Sequence, residues 1–237
     1  MPHPPSRHEA QPPSMSGPPT CIHQLPSAVA QALQKAGKLK HWRKGQTVVR
    51  QGQTSAEIVV GLQGSLSVDL AGPSGADTLI RFLSEGELVG IATVLAGTPA
   101  PTSIVAQSAA QTLHIERSTF IQVLSDHPEG AIGIIVLLSH RMVELFNFIE
   151  MTSHRPLPER VRYALRRLAL HNGRPSAQGQ VTLAVTQSDM AKAASASRQR
   201  VHLELQKLQR AGVISLGYGL ITVHQPEALE TQPQRQR

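Results

Sequence analysis

Cysteine and long apolar runs are what this 237-residue sequence most lacks. Its single cysteine, Cys21, excludes an intramolecular disulfide, and also a four-cysteine zinc or iron–sulfur site within one chain. Such sparing use of cysteine is typical of the reducing cytoplasm, where we expect the protein to be located. The longest unbroken run of apolar residues and glycine, residues 130–138, has 9 residues. A membrane-spanning helix needs about 20, so we expect no membrane partner.

Signal-peptide and catalytic motifs are absent as well. Residues 1–20 are too rich in proline and polar side chains for a signal peptide. We predict a disordered Pro-rich extension there and a flexible tail at residues 230–237. Nothing in the sequence resembles a Ser–His–Asp or Cys–His constellation, a phosphate-binding P-loop or a Rossmann fingerprint. We therefore predict that the protein is not an enzyme.

Acidic residues are scarce in the C-terminal part of the chain. From Arg155 to the C-terminus there are 13 Lys/Arg against 5 Asp/Glu, a net charge of +8, whereas residues 1–154 carry a net charge of −1. Lys and Arg gain affinity for nucleic acids by releasing counterions from the phosphates. A basic excess confined to one segment therefore predicts a DNA-binding domain, which we place at residues 155–229.

Two short helices are predicted inside this segment. In the first, within residues 185–197, Thr186 is a candidate N-cap and Asp189 completes a capping-box-like arrangement. The second has Ser197 as N-cap and a stripe of apolar residues at 3.6-residue spacing. The stripe consists of Val201, Leu205 and Leu208. Only a short turn separates the two predicted helices. Such a pair is a helix-turn-helix, whose second helix enters the DNA major groove.

The face of the second helix away from its apolar stripe carries the side chains expected to read double-stranded DNA. The predicted base contacts are Arg198, Gln199, His202 and Leu203, and the predicted phosphate contacts are Ser197, Arg200 and Lys207. The alternative is a surface helix with a solvated polar face, in which Arg200 could pair with Glu204. Ser195 stands in the turn where glycine is common, so it must adopt a left-handed conformation or turn by another route. Downstream, two β-branched runs around Gly217-Tyr218-Gly219 predict a hairpin.

Residues 39–118 have a different sequence pattern. Short runs of alternating polar and apolar residues, or of apolar residues alone, are separated by glycines. Many short strands at about 8–12-residue spacing predict a β-sandwich or jelly-roll barrel, which we place in a domain at residues 21–128. Together with the C-terminal helices and hairpin, this predicts an α+β protein.

Helical periodicity takes over at residues 129–154 and continues for roughly six turns. A helix this long between a barrel and a DNA-binding domain is predicted to pair with its copy in a homodimer. The dimer positions are Ile134, Leu138, Met142, Leu145 and Ile149. The alternative is a helix that lies on its own barrel.

In combination, these motifs resemble the transcription regulators of the cyclic-AMP receptor protein/fumarate–nitrate reductase regulator (CRP/FNR) family. The resemblance covers residues 38–224. It rests on "KGQTVVRQGQ" and "GLQGSLSV" in the barrel, "GELVG" before its cassette, "PERVRYALRRLAL" at the start of the second domain and "SRQRV" at the start of the recognition helix. The resemblance implies an effector-binding β-roll, a dimerisation helix and a winged helix-turn-helix. It also implies RNA polymerase as a protein partner.

The effector cassette departs from the pattern of members that bind cyclic AMP. The sequences are aligned here on "GELVG". The glutamate with which those members bind the ribose is replaced by Ile91, and the Arg-Ser pair with which they bind the phosphate is replaced by Pro101 and Thr102. The polar pair for the base falls on Leu145 and Phe146. A phosphate buried without a guanidinium or ammonium group nearby is strongly unfavourable. We therefore predict a degenerate pocket, apolar or filled by its own side chains, that does not bind cyclic AMP.

Two other site chemistries remain open for the barrel. Haem could in principle be ligated by His41, His114 or Cys21, although no cofactor is the first expectation. A cupin-type metal enzyme needs two or three histidines and a carboxylate that converge inside the barrel. Residues 39–118 contain only His41 and His114, so we expect no metal site.

Overall fold

The computed structural model of the chain describes residues 21–72, 77–176 and 178–229, and leaves the side chains of residues 171 and 172 undescribed. The predicted N-terminal extension at residues 1–20 and the predicted tail at residues 230–237 lie outside the described residues. The chain contains both helices and sheets. A β-domain comes first, a long helix follows it, and a helix-turn-helix domain is at the C-terminal end. This confirms the predicted fold class.

In the described residues of the N-terminal domain there are eight strands. They are β1 (Lys38–Trp42), β2 (Thr47–Val49), β3 (Glu57–Gln63), β4 (Leu66–Ala71), β5 (Asp77–Leu83), β6 (Leu88–Val89), β7 (Ser103–Ala106) and β8 (Ala110–Glu116). The strands pair antiparallel in two four-stranded sheets, with the orders β1-β8-β3-β6 and β2-β7-β4-β5. Aliphatic residues fill the space between the sheets, among them Val59, Leu66 and Ile104. The domain is therefore a β-roll of the jelly-roll type.

One turn of the roll requires glycine. Gly64, between β3 and β4, has a φ of +84°, and a Cβ at this position would stand 2.2 Å from the carbonyl oxygen of Ala109. Any other residue would thus combine a strained backbone with a clash against the chain that leads into β8.

Helices cover one end of the β-roll and lead away from it. They are α1 (Ser27–Ala36), α2 (Ile91–Ala96), α3 (Arg117–Asp126) and α4 (Pro128–His154). Buried residues of α1, α3 and α4, including Leu33, Phe120 and Leu137, pack together with β3 and β8 in one apolar cluster. Proline at the first position of α4 suits a helix start, because its missing N–H has no helical partner there.

Beyond α4, the C-terminal domain is a winged helix-turn-helix. Its elements are α5 (Leu157–Asn172), β9 (Arg174–Pro175), β10 (Val181–Leu183), α6 (Gln187–Ala193), α7 (Arg198–Arg210), β11 (Ile214–Gly217) and β12 (Leu220–Val223). The strands form a four-stranded antiparallel sheet with the order β11-β12-β10-β9. The predicted hairpin around residues 217–219 is confirmed as β11 and β12.

The two domains share one apolar cluster. Leu79 and Phe82 of β5 are buried among residues of α5, α6 and α7, such as Val161 and Met190. Lys192 Nζ on α6 lies 3.6 Å from Asp77 Oδ2 at the start of β5. Strand β5 is therefore the place where the β-roll contacts the DNA-binding domain.

Candidate functional site

The inter-helix turn has the geometry that the sequence indicates. Thr186 caps α6, because its Oγ1 accepts a hydrogen bond from Asp189 N at 3.1 Å while Asp189 Oδ2 accepts one from Thr186 N at 2.8 Å. Ser195, between the helices, has a φ of +49°. The chain therefore turns through the left-handed conformation. Arg160 Nη1 on α5 donates to Ser195 O at 3.1 Å and holds this turn against the neighbouring helix.

Helix α7 exposes its N-terminal turn and buries the predicted stripe. Val201 and Leu205 are fully buried and Leu208 is 5% exposed, all three within the core of the domain. Ser197 Oγ accepts from Arg200 N at 3.5 Å, which is a weak capping bond. Side chains on the other face are open to solvent: Arg198, Gln199, Arg200 and Leu203 are exposed, with Leu203 at 52%. An exposed basic turn beside an exposed leucine is suited to a groove with phosphates and thymine methyl groups.

Two predicted contact residues are more constrained than the sequence suggests. His202 is only partly exposed, and its Nδ1 is buried with no hydrogen-bond partner within the described residues. Lys207 Nζ lies 2.8 Å from Glu204 Oε1. The structure therefore pairs Glu204 with Lys207, whereas the sequence suggested a pair with Arg200.

One exposed side chain of this domain was missed by the sequence analysis. Tyr218, at the tip of the hairpin, is fully exposed between Gly217 and Gly219. An aromatic residue flanked by glycines in a hairpin turn is the signal that could have identified it, since such a side chain has no core to enter.

A cavity of about 170 Å³ lies inside the β-roll, against α2 and α4. Most of its wall is aliphatic, and hydroxyl groups come from Ser55, Thr93 and Thr102. Its aliphatic lining includes Val49, Val59, Val68, Leu88, Val89, Ile91, Ile104, Leu137 and Leu138. We call this space the β-roll cavity.

Only part of the predicted pocket lines this cavity. Ile91, Pro101 and Thr102 do so. Leu145 lines a smaller cavity of about 70 Å³ between the β-roll, α4 and α5, and Phe146 is 63% exposed and lines neither cavity. Helix α4 contributes residues about two turns earlier, Leu137 and Leu138. Within a single copy of the chain, the predicted placement of Leu145 and Phe146 in the effector pocket is therefore wrong.

Two arginines also line the cavity, which the sequence predicts to be apolar or filled by its own side chains. Arg81 of β5 and Arg141 of α4 line the β-roll cavity, and both form ion pairs with Glu87, whose side chain is almost fully buried. Arg141 also pairs with Glu144. We call these four residues the ionic cluster. Burial lowers the pKa of Arg81 to about 10, against the opposing effect of Glu87. The sequence signal was an arginine in the otherwise apolar strand ending "TLIRFL".

A second chain of polar groups connects the cavity to the outside of the roll. Trp42 Nε1 donates to Thr112 Oγ1 at 2.7 Å, and Thr112 Oγ1 lies 2.9 Å from His114 Nε2. His114 Nδ1 lies 2.8 Å from Glu57 Oε2, which also accepts from Lys40 Nζ at 2.7 Å. The Glu57 carboxylate can only accept, so the imidazole proton lies on Nδ1, and Nε2 of the neutral ring accepts the hydroxyl proton of Thr112. His114 is thus held neutral between a hydroxyl and a carboxylate.

The pKa values of this chain agree with that assignment. Burial lowers the pKa of His114, and the hydrogen bond with Glu57 does not offset it. Burial alone would raise the pKa of Glu57, but the hydrogen bonds from Lys40 and His114 outweigh it and lower that pKa. Glu57, which lines the β-roll cavity, is therefore a carboxylate whose charge is already compensated.

The three candidate haem ligands are hydrogen-bonded, exposed or held as a thiol. Both ring nitrogens of His114 are engaged, and His41 is exposed on the outside of β1. Cys21 Sγ points to Glu85 O, and burial raises the pKa of its thiol to about 11, so it is not a thiolate. Across residues 21–72, 77–176 and 178–229, three or more His, Cys, Asp or Glu side chains are nowhere grouped to hold a metal ion.

Helix α4 presents a long apolar face that no other described part of the chain covers. Its exposed members, which we call the apolar stripe, are Ile132, Ile135, Val136, Met142, Val143, Phe146 and Ile149. Leu145 is also exposed beside them. Ile134, by contrast, is 3% exposed, and Leu138 packs with the same cluster of the β-roll. These two residues face the chain's own roll, so their placement on an exposed dimer face is corrected.

The same helix satisfies the length and composition of a membrane span. An 18-residue window within Pro128–His154 has a mean hydropathy of 1.6, and 11% of that window is buried. Apolar residues almost all round the helix explain this value, although the longest unbroken run is short.

Family models match both domains of the chain. The family model "Cyclic nucleotide-binding domain" matches residues 39–127, and the "Crp-like helix-turn-helix domain" matches residues 159–232. A CRP-like cAMP-activated global transcriptional regulator of Mycobacterium tuberculosis is 23% identical over 205 residues, which is 86% of this chain and 91% of the relative. A global nitrogen regulator of Synechocystis is 24% identical over 192 residues, 80% and 85% of the two chains.

Solved structures agree on the fold. A CRP-family transcriptional regulator from Thermus thermophilus superposes with a TM-score of 0.67 at 21% identity, over 80% of this chain and 94% of that one. The c-di-GMP responsive global regulator of Xanthomonas campestris gives a TM-score of 0.73 at 16% identity, over 84% and 99%. A β-roll with a cyclic nucleotide-binding-type sequence, followed by a long helix and a Crp-like helix-turn-helix, places this chain in the CRP/FNR family of transcription regulators.

Proposed function

We propose that this regulator binds a near-palindromic operator in double-stranded DNA as a homodimer. The observation that carries the proposal is the exposed N-terminal turn of α7, whose basic and amide side chains stand free of the domain core. Arg198 is assigned to guanine, and Gln199 to an adenine edge. His202 reaches a base only from the edge of the turn, and Leu203 packs on a thymine methyl. Ser197, Arg200 and Lys207 contact phosphates.

The apolar stripe of α4 supports the dimer. Apolar side chains at Met142, Phe146 and Ile149 repeat at helical spacing and remain exposed in the single chain. A two-fold axis lets one such face cover its own copy. The two recognition helices then enter successive major grooves about 34 Å apart.

The β-roll cavity supports the proposal that neither cyclic AMP nor cyclic GMP is the effector, although the relative from Mycobacterium tuberculosis is described as cAMP-activated. Ile91 and Pro101, which line the cavity, supply no carboxylate for a ribose and no guanidinium for a phosphate. The arginines that are present already pair with Glu87. A cavity of about 170 Å³ is also small beside the range of roughly 300–1,000 Å³ that is usual for ligand pockets.

The remaining parts of the proposal follow from this assignment. The protein acts as a cytoplasmic regulator without catalytic activity and without haem. RNA polymerase is its expected protein partner, and this last point rests on the family resemblance alone.

The decisive experiment is selection of binding sites from random DNA with the purified full chain. We expect enrichment of a near-palindrome with half-site centres about 10–10.5 base pairs apart. Enrichment of a single asymmetric half-site, or of no sequence, would contradict the proposal. Calorimetry with cyclic AMP and cyclic GMP tests the effector part separately, and micromolar affinity for either would overturn it.

A further inference from the structure

Three parts of the molecule meet around the smaller cavity. Its wall comes from β5 and the turn after that strand, from α4, and from α5 of the DNA-binding domain. Each two of these parts are joined by contacts of their own. Two bodies joined at one hinge can rotate, whereas three bodies joined pairwise, as a closed triangle, hold one arrangement.

The first side of this triangle joins β5 to α4 through charge. Glu87, which is 1% exposed, forms ion pairs with Arg81 of β5 and Arg141 of α4. Its Oε2 also accepts a hydrogen bond from Ser84 N at 2.9 Å, which closes the turn that carries it. Breaking a buried ion pair leaves an uncompensated charge and is strongly unfavourable. Glu87 therefore ties the strand firmly to the helix.

The second side joins α4 to α5 across the bend between them. Arg155, the residue after α4, pairs with Glu150 Oε1 of α4 at 2.7 Å and with Glu159 Oε2 of α5 at 3.3 Å. Because a proline disfavours the helical conformation in the residue before it, Pro156 keeps Arg155 extended, with a φ of −95° and a ψ of 143°. The bend therefore has a fixed position in the chain and an ion pair to each helix.

A cation–π contact adds to this second side. The guanidinium of Arg167 on α5 lies 5.4 Å from the ring centroid of Phe148 on α4 and 5.7 Å from that of Tyr163 on its own helix. All three side chains line the smaller cavity. Such contacts are strongest where the cation is partly removed from water, so Arg167 holds α5 against α4.

The third side joins the DNA-binding domain to β5. Leu79 and Phe82 are buried among its side chains, and Lys192 Nζ of α6 lies 3.6 Å from Asp77 Oδ2. Arg81, which belongs to the first side, lies between these two apolar residues in sequence. Strand β5 therefore takes part in two sides of the triangle, and a shift of β5 against α4 would carry the recognition helix with it.

The dimer face of α4 belongs to the same arrangement. Arg141 is adjacent in sequence to Met142 of the apolar stripe, which is 55% exposed. In a dimer, the distance between the two recognition helices depends on how each DNA-binding domain is held against its own α4. In this chain, its own side chains hold it, and the N-terminal turn of α7 is exposed in the arrangement that they fix.

From these contacts we propose that the protein binds its operator without an effector, and that Glu87 is the positioning residue that replaces one. An effector activates a regulator only by binding the active arrangement more tightly than the inactive one. The ties through Glu87 supply this preference from within the chain. The inference rests on the proposed function, in which a homodimer binds a near-palindromic operator.

Native mass spectrometry of the full chain bound to the selected operator tests the need for an effector. We expect the mass of two chains and one DNA duplex, with no further component. Unfolding in denaturant, dialysis and refolding remove any small molecule, and the refolded dimer should bind the operator within about twofold of its former affinity. A small molecule in the complex, or a refolded dimer that binds at least about tenfold more weakly, would overturn the inference.

The spacing of the half-sites tests the role of Glu87. A rigid triangle fixes the distance between the recognition helices, so an insertion of about two base pairs between the half-sites should weaken wild-type binding at least about tenfold. Glu87→Gln keeps the shape of the side chain and removes its charge. It should reduce this spacing penalty several-fold at an unchanged dimer mass, whereas a general loss of stability would weaken binding to both operators alike.

Two further variants complete the test. Arg155→Gln weakens the second side of the triangle outside the apolar core, and should also reduce the spacing penalty. Glu116→Gln removes an exposed ion pair with Lys38 and is the control, with the wild-type penalty. An unchanged penalty in Glu87→Gln, or in Arg155→Gln if Glu87→Gln does not fold, would refute the assignment of Glu87 as a positioning residue.

Failure of this inference is distinguishable from failure of the proposed function. A palindrome that is enriched, but bound only by a dimer that carries a small molecule, would refute effector-free binding and leave the regulator proposal intact. Selection that enriches no palindrome would contradict both.

Discussion

Arg81 and Phe82 are neighbours on β5 and both line the smaller cavity, but only Arg81 also lines the β-roll cavity. Phe82 is buried in the core of the winged helix-turn-helix domain. Leu79, on the same strand, lies in that core as well. A change at Arg81 is therefore one residue away from the surface that holds the DNA-binding domain in place.

Phe82→Ala should weaken the contact between the domains. A buried Phe→Ala change costs about 3–5 kcal/mol, and here the loss falls on the joint between two domains. We expect calorimetry to resolve two unfolding transitions in place of one. Phe120→Ala is the matched control, since Phe120 is fully buried inside the β-roll cluster. It should lower stability but keep a single transition. Identical calorimetric profiles for the two variants would show that Phe82 does not couple the domains.

Phe146→Glu and Met142→Glu should dissociate the homodimer. Each places a charge in the centre of the apolar stripe, where it would be buried without a partner at a two-fold contact. Sedimentation should show the mass fall from twice 25.5 kDa to 25.5 kDa. Leu170→Glu, at an exposed leucine of α5, is the control and should stay dimeric.

The same measurement separates dimerisation from membrane insertion of α4. If α4 spans a bilayer, the wild-type chain should need detergent to stay in solution and should float with lipid vesicles. A dimer that sediments freely in buffer without vesicles supports the dimer, and a monomer of the wild type would refute it.

Arg198→Ala and Arg200→Ala should have different effects on DNA. Loss of a base contact at Arg198 should cost about 1–3 kcal/mol and relax the preference at one base pair. Loss of a phosphate contact at Arg200 should weaken binding to all sequences alike. It should also reduce the slope of the logarithm of affinity against the logarithm of salt concentration by about one in magnitude. Arg210→Ala, at the other end of α7, is the control. The wild-type motif at undiminished affinity for Arg198→Ala would refute the recognition-helix assignment.

Stability should fall as the pH is lowered from 7.5 to 5.5, because His114 is held neutral. The pKa of His114 is lowered in the folded protein, so the unfolded chain takes up a proton near the ordinary value of about 6.5 while the folded chain does not. The contribution of His114 is therefore present above that value and lost below it, at no more than about 1.4 kcal/mol per pH unit.

Urea unfolding at the two pH values measures this effect. His114→Gln should flatten the pH dependence in this window, and His41→Gln, at an exposed histidine of β1, should leave it unchanged. Glu57, whose pKa is lowered from 4.5, contributes only at more acidic pH. An equal slope for wild type and His114→Gln would contradict the assignment of the neutral imidazole.

Local sequence signals determined most of the DNA-binding half. The capping pair Thr186 and Asp189, the cap at Ser197 and the turn at Ser195 all act over a few residues, so the sequence contains all the information needed. Exposure of the N-terminal turn of α7 follows from the buried stripe on its opposite face.

Long-range packing explains what the sequence could not predict. Helix α4 is apolar on nearly every side, so periodicity alone could not tell that Ile134 faces the β-roll while Phe146 faces outward. Arg81 and Arg141 are distant in sequence and meet only because β5 and α4 both contact Glu87. The register of β4 and β5 also shifts between Val68 and Asp69, so simple alternation does not place Arg81 on a face.

The pairing of β1 with β8 has a consequence for synthesis of the chain on the ribosome. Lys38 is opposite His114 and Trp42 is opposite Ala110, and β3 pairs with β8 as well. Strands β1 and β3 therefore cannot complete their sheet until residues 110–116 have been synthesised. At roughly 5–20 residues per second, this wait lasts several seconds, during which the apolar residues of β3 stand exposed. In the winged domain, β11 pairs with β12 across a short hairpin, and β10 needs only the shorter stretch of chain up to residues 221–223 of β12. The nascent β-roll is therefore the part of the protein whose sheet is completed after the longer delay.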